Sequence, residues 1–393
     1  MESTGNIHTK PFRIALISDG LFPMIIGGMQ KHSVRLAASL ADAGTEVMLF
    51  HPHESSSLQN VFTSQQLSKI TGVYVPWPRV LKIPGHYLLR NYLYSRTVHR
   101  ILKEKGNNID VIYVQGLSGW KTILKGIGNI PVVLNMHGME MFQITKGFRN
   151  RLNSLLLRFP AARLIKKADA VVSLGGKLSM IIKEIAPKQR IIELPVGIDD
   201  QWLQPDKSSE HSAERKVLFV GRYEWRKGLD VFNAVIPELL EIYKTNLSFE
   251  FIGAIPDDKR LKNEKVHYHG PLYNEEKIQE IYKSAFVLVC PSYSEGMPTV
   301  ILEAMSAGLP VIASDVGAVS NLVSDENGRL VNPGNPQELK AALDYMLTIA
   351  PALLDKLGKT SAKKAETFRW SAVAQKTISD LKRLRYQTST MER

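Results

Sequence analysis

The sequence carries one cysteine in 393 residues, Cys290, so no intrachain disulfide framework is open to it and a reducing compartment suits it. Cys290 closes an apolar run, Ala285-Phe286-Val287-Leu288-Val289-Cys290, and reads as an inert core thiol, not a nucleophile. No apolar run approaches the length of a membrane span, and residues 1–13 are polar, which leads to the expectation of a soluble, cytoplasmic protein. The ten histidines show no metal-ligand spacing, and there is no Cys or Asp/His cluster, so no bound metal is expected. Low-complexity tracts and short repeats are missing as well. Residues 201–393 lack any net charge, with 25 basic against 25 acidic side chains. The whole formal excess of +12 therefore belongs to residues 1–200, which hold 25 basic and 13 acidic residues.

That excess is densest over 79–105 and 149–167. The second stretch includes Phe148-Arg149-Asn150-Arg151-Leu152-Asn153-Ser154-Leu155-Leu156-Leu157-Arg158-Phe159, where apolar residues and arginines interleave as in a helix lying on a surface. Two readings stand: a solvated helix whose leucines enter the core, or a face for an anionic membrane surface or acceptor. A nucleic-acid partner is not expected, because no such motif and no aromatic platform accompanies the basic residues.

What is present is a globular composition, 44% hydrophobic and 22% charged, in a chain long enough for two cores. Short apolar runs alternate with helical patterns from Arg13-Ile14-Ala15-Leu16-Ile17-Ser18 through Glu46–Phe50, Val111–Val114, Val132–Asn135, Ala170–Ser173 and Ile191–Leu194. After a polar linker over 204–216, a second series runs from Val217–Gly221 through Phe249–Gly253, Val266–His269, Phe286–Cys290 and Val311–Ala313. Such alternation builds parallel sheets. The expected fold is α/β, two Rossmann-like domains facing one another across a cleft, over residues 1–200 and 214–367.

Ligands of open α/β sheets bind beyond the carboxyl ends of the strands, which directs attention to the residues there. Ser294-Glu295-Gly296-Met297-Pro298-Thr299-Val300-Ile301-Leu302-Glu303 follows a strand and sets Glu295 in a turn and Glu303 in a helix. Two acids there suit sugar hydroxyls, and the N–H groups of Gly296, Met297 and Thr299 suit an anion. Gly221-Arg222-Tyr223-Glu224-Trp225-Arg226-Lys227-Gly228 follows the first strand of the second series. Arg222 and Lys227 fit a pyrophosphate, a solvated loop being the plainer alternative, and Arg226 reads as the exposed bystander. Gly27 and Gly28 open the first helix, either as a tight turn or to let backbone approach a ligand; no G-x-G-x-x-G spacing is present. His137, after the strand Val132–Asn135, is either structural or a cleft group, and His32 is either a capping or solvated residue or a site residue. Gly317-Ala318-Val319 and Asn327-Gly328-Arg329-Leu330 read as turns.

Taken in order, these motifs resemble those of the retaining GT-B glycosyltransferases of the family 4 type. The resemblance covers nearly the whole chain. It rests on Gly27-Gly28, Pro195-Val196-Gly197-Ile198-Asp199, Gly221-Arg222 through Lys227-Gly228, and the E-x7-E pair Glu295 and Glu303 continuing to Gly308-Leu309-Pro310. It implies that Glu303 holds the nucleotide ribose, that Glu295 holds the donor sugar, and that Arg222 and Lys227 clamp the diphosphate in place of a metal. It further implies that Gly27, Gly28, Gly221 and the segment Gly296-Met297-Pro298-Thr299 lie along the donor, with His137 near the sugar and His32 and Asp19 towards the acceptor. The C-terminal helix, about 368–393, is implied to complete the first domain. The implied reaction is a front-face, metal-independent transfer with retention, from a nucleotide diphosphate sugar (UDP- ahead of GDP-) to a lipid-linked or glycan acceptor in envelope assembly. The nucleotide sugar is then a substrate, and no cofactor is expected. The competing readings are a nucleotide-sugar epimerase, a phosphorylase of this fold, and a noncatalytic nucleotide-sugar-binding protein.

Overall fold

A computed structural model describes residues 10–81, 85–106, 108–145, 147–203 and 214–390. The first domain opens with β1 (Arg13–Ile17), α1 (Gly28–Asp42), β2 (Glu46–His51), α2 (Ser64–Leu67) and β3 (Ile70–Tyr74). It continues through α3 (His86–Lys105), β4 (Val111–Gln115), α4 (Trp120–Lys125), β5 (Val132–Asn135), α5 (Phe148–Lys167), β6 (Ala170–Ser173), α6 (Lys177–Ile185) and β7 (Ile191–Glu193). The second comprises β8 (Arg215–Val220), α7 (Leu229–Tyr243), β9 (Leu247–Ile252), β10 (Val266–Gly270), α8 (Glu275–Ser284), β11 (Val287–Cys290), α9 (Thr299–Ser306), β12 (Val311–Ser314), β13 (Gly328–Val331) and α10 (Pro336–Thr348). Helices α11 (Pro351–Glu366) and α12 (Trp370–Thr390) close the chain.

All strand pairings are parallel. The first sheet has the order β3-β2-β1-β4-β5-β6-β7 and the second β10-β9-β8-β11-β12-β13. Strands β4, β5, β9, β11 and β12 are buried along their entire length, as sheets covered by helices on both faces require. Their Val, Ile, Leu and Phe side chains supply the buried apolar clusters, one running through both domains and one within the second, and removing that surface from water is the main force holding the fold. Both sheets reverse winding direction beside their first strand, between β1 and β4 and between β8 and β11. The loops leaving these switch points are where a doubly wound sheet presents its ligand site.

Two strands differ from the sequence reading. Strand β3 was passed over because Ile-Thr-Gly-Val-Tyr is half exposed at a sheet edge and shows no buried run. Gly328–Val331 is a strand, not a turn: the close approach at Gly328 is to Val311 of the neighbouring β12, whose carbonyl oxygen lies 2.0 Å from where a Cβ would stand. Strand β8 also begins at Arg215, so Arg215 and Lys216 belong to the sheet, while residues 204–213 of the linker lie outside the described residues.

The chain ends on the domain in which it begins. Helix α12 packs on α1, Ile198 donates its N–H to Phe368 O at 2.8 Å, and Trp370 lies over Gly197, leaving no room there for a Cβ. Val373, Ala374 and Leu381 are buried in the same core as α1.

Candidate active site

The loops at the carboxyl ends of the two sheets meet, and the acids and cations singled out above stand there. Glu295 is buried in the loop after β11. Its Oε1 is 2.6 Å from Lys227 Nζ and accepts from Ser292 Oγ at 2.8 Å, while its Oε2 is 3.5 Å from Arg226. Lys227 ends a short turn after β8, and Gly228 follows it in the left-handed region with φ 68°. A Cβ on Gly228 would stand 1.9 Å from Pro291 O, so only glycine lets this turn press against the exit of β11 and bring Lys227 to Glu295.

One assignment reverses. Arg226, expected to be the exposed bystander, is 80% buried at its side chain, whereas Arg222 is 63% exposed and pairs with Glu224 at 2.9 Å. Three carboxylates draw Arg226 inward: Glu224 at 2.7 Å, Glu295, and Glu140 of the first domain at 3.8 Å. Burial alone would lower the pKa of its guanidinium, but these three acids outweigh it and raise the pKa, so the cation is fixed. Lys227 and Arg226, not Arg222, are therefore the cations that reach Glu295.

Glu303 lies in the second turn of α9, where Tyr282 Oη donates to Oε2 at 2.9 Å. Burial pushes its pKa above the ordinary carboxylate range, opposed by Lys31 of α1. Among the described residues, none of the N–H groups of Gly296, Met297 and Thr299 has a protein acceptor, and Pro298 caps α9 in extended conformation. N–H groups without protein acceptors at a helix start are donors of the kind an anion accepts. The Met297 side chain is buried, and its Sδ takes the N–H of Val196 at 3.3 Å, so only its backbone is offered to a ligand. Gly221 follows β8 directly, with Phe219 beneath it.

On the first domain, His137 adopts a left-handed backbone, φ 55°, a strained conformation for a residue with a Cβ and one that accumulates at functional sites. Its N–H donates to Asn135 Oδ1 at 2.9 Å, and its Nε2 pairs with Gln115 Oε1. Gln115 Nε2 in turn lies 3.2 Å from His32 Nδ1, and the two imidazoles meet edge to face at 4.9 Å. His32 is thus neither a cap nor solvated: Trp370 of α12 covers it at 5.4 Å and burial lowers its pKa to about 4. His137 is likewise held neutral by burial and by His32. Asp19 is buried after β1, accepts from Gln30 Nε2 at 2.8 Å, and has its pKa raised by burial to about 6. Gly27 stands in extended conformation at the N-cap of α1 and Gly28 begins the helix; a Cβ on Gly28 would meet nothing within 4 Å, so that face of the helix start is open. Cys290 is buried and its thiol is pushed up to about 11, as an inert core thiol requires.

Sequence reasoning missed the group that joins the two halves. Gln143 Nε2 donates to Glu295 O at 2.7 Å and also to Gly138 O, while Glu295 N–H donates back to Gln143 Oε1 at 3.3 Å. Beside this latch the two backbones touch: a Cβ on Gly296 would stand 3.1 Å from Gly138 Cα. A second junction pairs Lys177 with Asp315 at 2.9 Å and joins Lys177 N–H to Gly317 O at 2.8 Å. Nothing local marks Gln143, because its partner is 152 residues away; the one available signal was its place in the loop after β5.

Residues 214–348 match the family described as glycosyl transferases group 1, and residues 26–202 match glycosyltransferase family 4. The chain belongs to the group 1, family 4 glycosyltransferases. Among curated relatives, it is 25% identical to an uncharacterized glycosyltransferase of Methanocaldococcus jannaschii, covering 93% of this chain and 97% of that one. It is 26% identical to the D-inositol 3-phosphate glycosyltransferase of Paenarthrobacter aurescens, covering 95% of each. Among solved structures, a sucrose-phosphate synthase from Thermosynechococcus elongatus superposes with a TM-score of 0.75 at 21% identity, over 95% of this chain and 99% of that one. The Anabaena protein HepE in complex with UDP and glucose gives 0.65 at 15% identity, over 94% and 99%. The fold of this glycosyltransferase is GT-B.

The buried titratable groups give the glycosyltransferase a pH signature. His32 and His51, each lowered to about 4, and His137, held well below its ordinary value, bind fewer protons folded than unfolded as pH falls below 6.5. By linkage they remove stability on acidification. Asp19, raised to about 6, and Glu303 and Asp199, also raised, act in the opposite sense, favouring the fold as they take up protons. Two histidines lowered to about 4 stand against one carboxyl raised to about 6, so Tm by scanning calorimetry is expected to be lower at pH 5 than at pH 7.5, and His32→Asn should shrink the difference. A Tm that holds level or rises towards pH 5 would contradict this balance.

Proposed function

We propose that this glycosyltransferase moves a sugar, with retention and without a metal, from a UDP-sugar to a lipid-linked or glycan acceptor of the cell envelope. The observation that carries the reading is the convergence of Lys227 and Arg226 on the buried Glu295 beside the unpaired N–H groups of Gly296, Met297 and Thr299, with Glu303 one helical run away. A donor's diphosphate finds cations and N–H donors there, and its hydroxyls find two carboxylates. The UDP and glucose complex of the Anabaena relative supports uridine as the carrier.

In this mechanism Glu303 accepts hydrogen bonds from the ribose hydroxyls and Tyr282 keeps its second oxygen aimed. Glu295 accepts from the sugar hydroxyls, and His137, neutral at pH 7, bonds another hydroxyl without adding charge. Breaking the bond from the anomeric carbon to the phosphate oxygen leaves an oxocarbenium-like centre and a new negative charge, which Lys227, Arg226 and the helix N–H groups stabilise in a dry cleft. The departing phosphate oxygen takes the acceptor's proton on the same face, so the acceptor oxygen arrives where the leaving group left. Glu295 is held by Lys227 and Ser292 and is a binding group, not an attacking one.

Glu303→Ala tests the donor site. Losing a charge-assisted pair of hydrogen bonds should weaken UDP binding by about ten- to a hundredfold in titration calorimetry. Unchanged UDP affinity would remove Glu303 from the ribose. Release of sugar or its transfer from UDP-sugar, measured with and without acceptor, separates the transferase from an epimerase and from a noncatalytic binder.

A further inference from the structure

Helix α5 is apolar on two opposite sides. Ala161, Leu164 and Ile165 are buried in the first-domain core. Phe148, Leu152, Leu155, Leu156 and Phe159 recur at helical spacing on the other side and face solvent, with Phe148 84% and Phe159 73% exposed. The sequence reading allowed these leucines to enter the core, and Leu152, Leu155 and Leu156 do not. Exposed apolar side chains scattered singly need no explanation, but a contiguous stripe on one helix does. Its surroundings are cationic: Arg151, Arg163, Lys166 and Lys167 are exposed, and the helix contains no Asp or Glu.

We propose that the outer face of α5 docks on an anionic lipid bilayer. Apolar side chains entering the acyl boundary with basic side chains at headgroup level is the pattern of an interfacial helix, and each basic residue near an anionic surface adds to binding. A second copy of the chain is the poorer occupant, since a symmetric contact would bring the arginines and lysines of two α5 helices together. The face also lies close to the chemistry. Helix α5 starts five residues after Gln143, which holds the backbone of Glu295, and Arg158 anchors the helix to Met141 O at 2.6 Å. A bilayer held on α5 sets the first-domain side of the cleft beside the membrane, where a lipid-borne acceptor is presented. That last step rests on the proposed reaction; the docking does not.

The experiment is sedimentation of the full chain with vesicles of phosphatidylcholine alone or mixed with phosphatidylglycerol, beside the Leu155→Glu/Phe159→Glu variant. The wild type should sediment with the anionic vesicles only, and binding should fall as salt is raised. The double variant should lose at least tenfold in vesicle affinity while keeping its Tm and UDP affinity, because both side chains face solvent. Failure to bind anionic vesicles, or equal binding by the variant, overturns the proposal. So does a wild-type dimer in light scattering that the variant abolishes, which would assign the face to a second copy. UDP binding and donor turnover measured without vesicles report on the reaction separately, so loss of one reading leaves the other decided.

Discussion

Lys227→Ala is expected to lower turnover by about a thousandfold, with a smaller loss in donor affinity, because one cation aimed at a developing charge in a dry site is worth about two to three powers of ten. The same substitution should also destabilise the second domain. Lys227 is the nearest partner of Glu295, whose side chain is 6% exposed, and its removal leaves that carboxylate with Ser292 and a longer contact to Arg226. Removing one partner of a buried pair costs about 3 kcal/mol. Two effects of one mutation are separable by a second. Lys227→Ala combined with Glu295→Gln replaces the orphaned charge with a neutral amide, so Tm should recover while turnover stays low. If turnover recovered with Tm, Lys227 would be a structural ion-pair partner and the clamp would fall to Arg226 and Arg222. Calorimetry and single-turnover kinetics on the same preparations decide between these outcomes.

The backbone plan was legible because it is written in local runs. Strands such as Val-Ile-Tyr-Val-Gln and Val-Leu-Val-Cys are buried on both faces, so their composition alone identifies them, and the helices between them leave only parallel pairings. Strand β3 escaped for the converse reason, since an edge strand half open to water needs no apolar run. The placement of candidate residues was legible where strand ends fix it, at Glu295, Glu303 and Lys227. It was misread where a side chain's environment is assembled from distant segments. Arg226 and Arg222 are equally basic and lie in one loop, yet acids at positions 140 and 295 decide which turns inward. His32 looked like a residue of a helix start open to water, but Trp370, from the far end of the chain, covers it. A sequence window has no access to a partner more than 300 residues away.

Gln143→Ala carries this into a test of how the domains act together, and kcat/KM is expected to fall by about a hundredfold. The amide satisfies both backbone groups of Glu295 from the other domain, and leaving two such groups without partners costs about 1–3 kcal/mol each. The loss should fall on the assembled cleft and not on the donor site, because among the described residues the side-chain hydrogen bonds of Glu295 and Glu303 come from the second domain. UDP affinity should therefore stay within about threefold of wild type, a difference under 1 kcal/mol, while transfer is lost. Gln143→Glu sharpens the argument. A carboxylate of the same length can still accept from the Glu295 N–H but cannot donate to Glu295 O, and it adds a charge beside Glu140, so it should be no better than alanine. If the two variants instead weakened UDP binding in step with transfer, Gln143 would be acting through the local shape of the 291–298 loop. If neither affected transfer, the productive closed state would have to use the other junctions, among them the ion pair between Lys177 and Asp315.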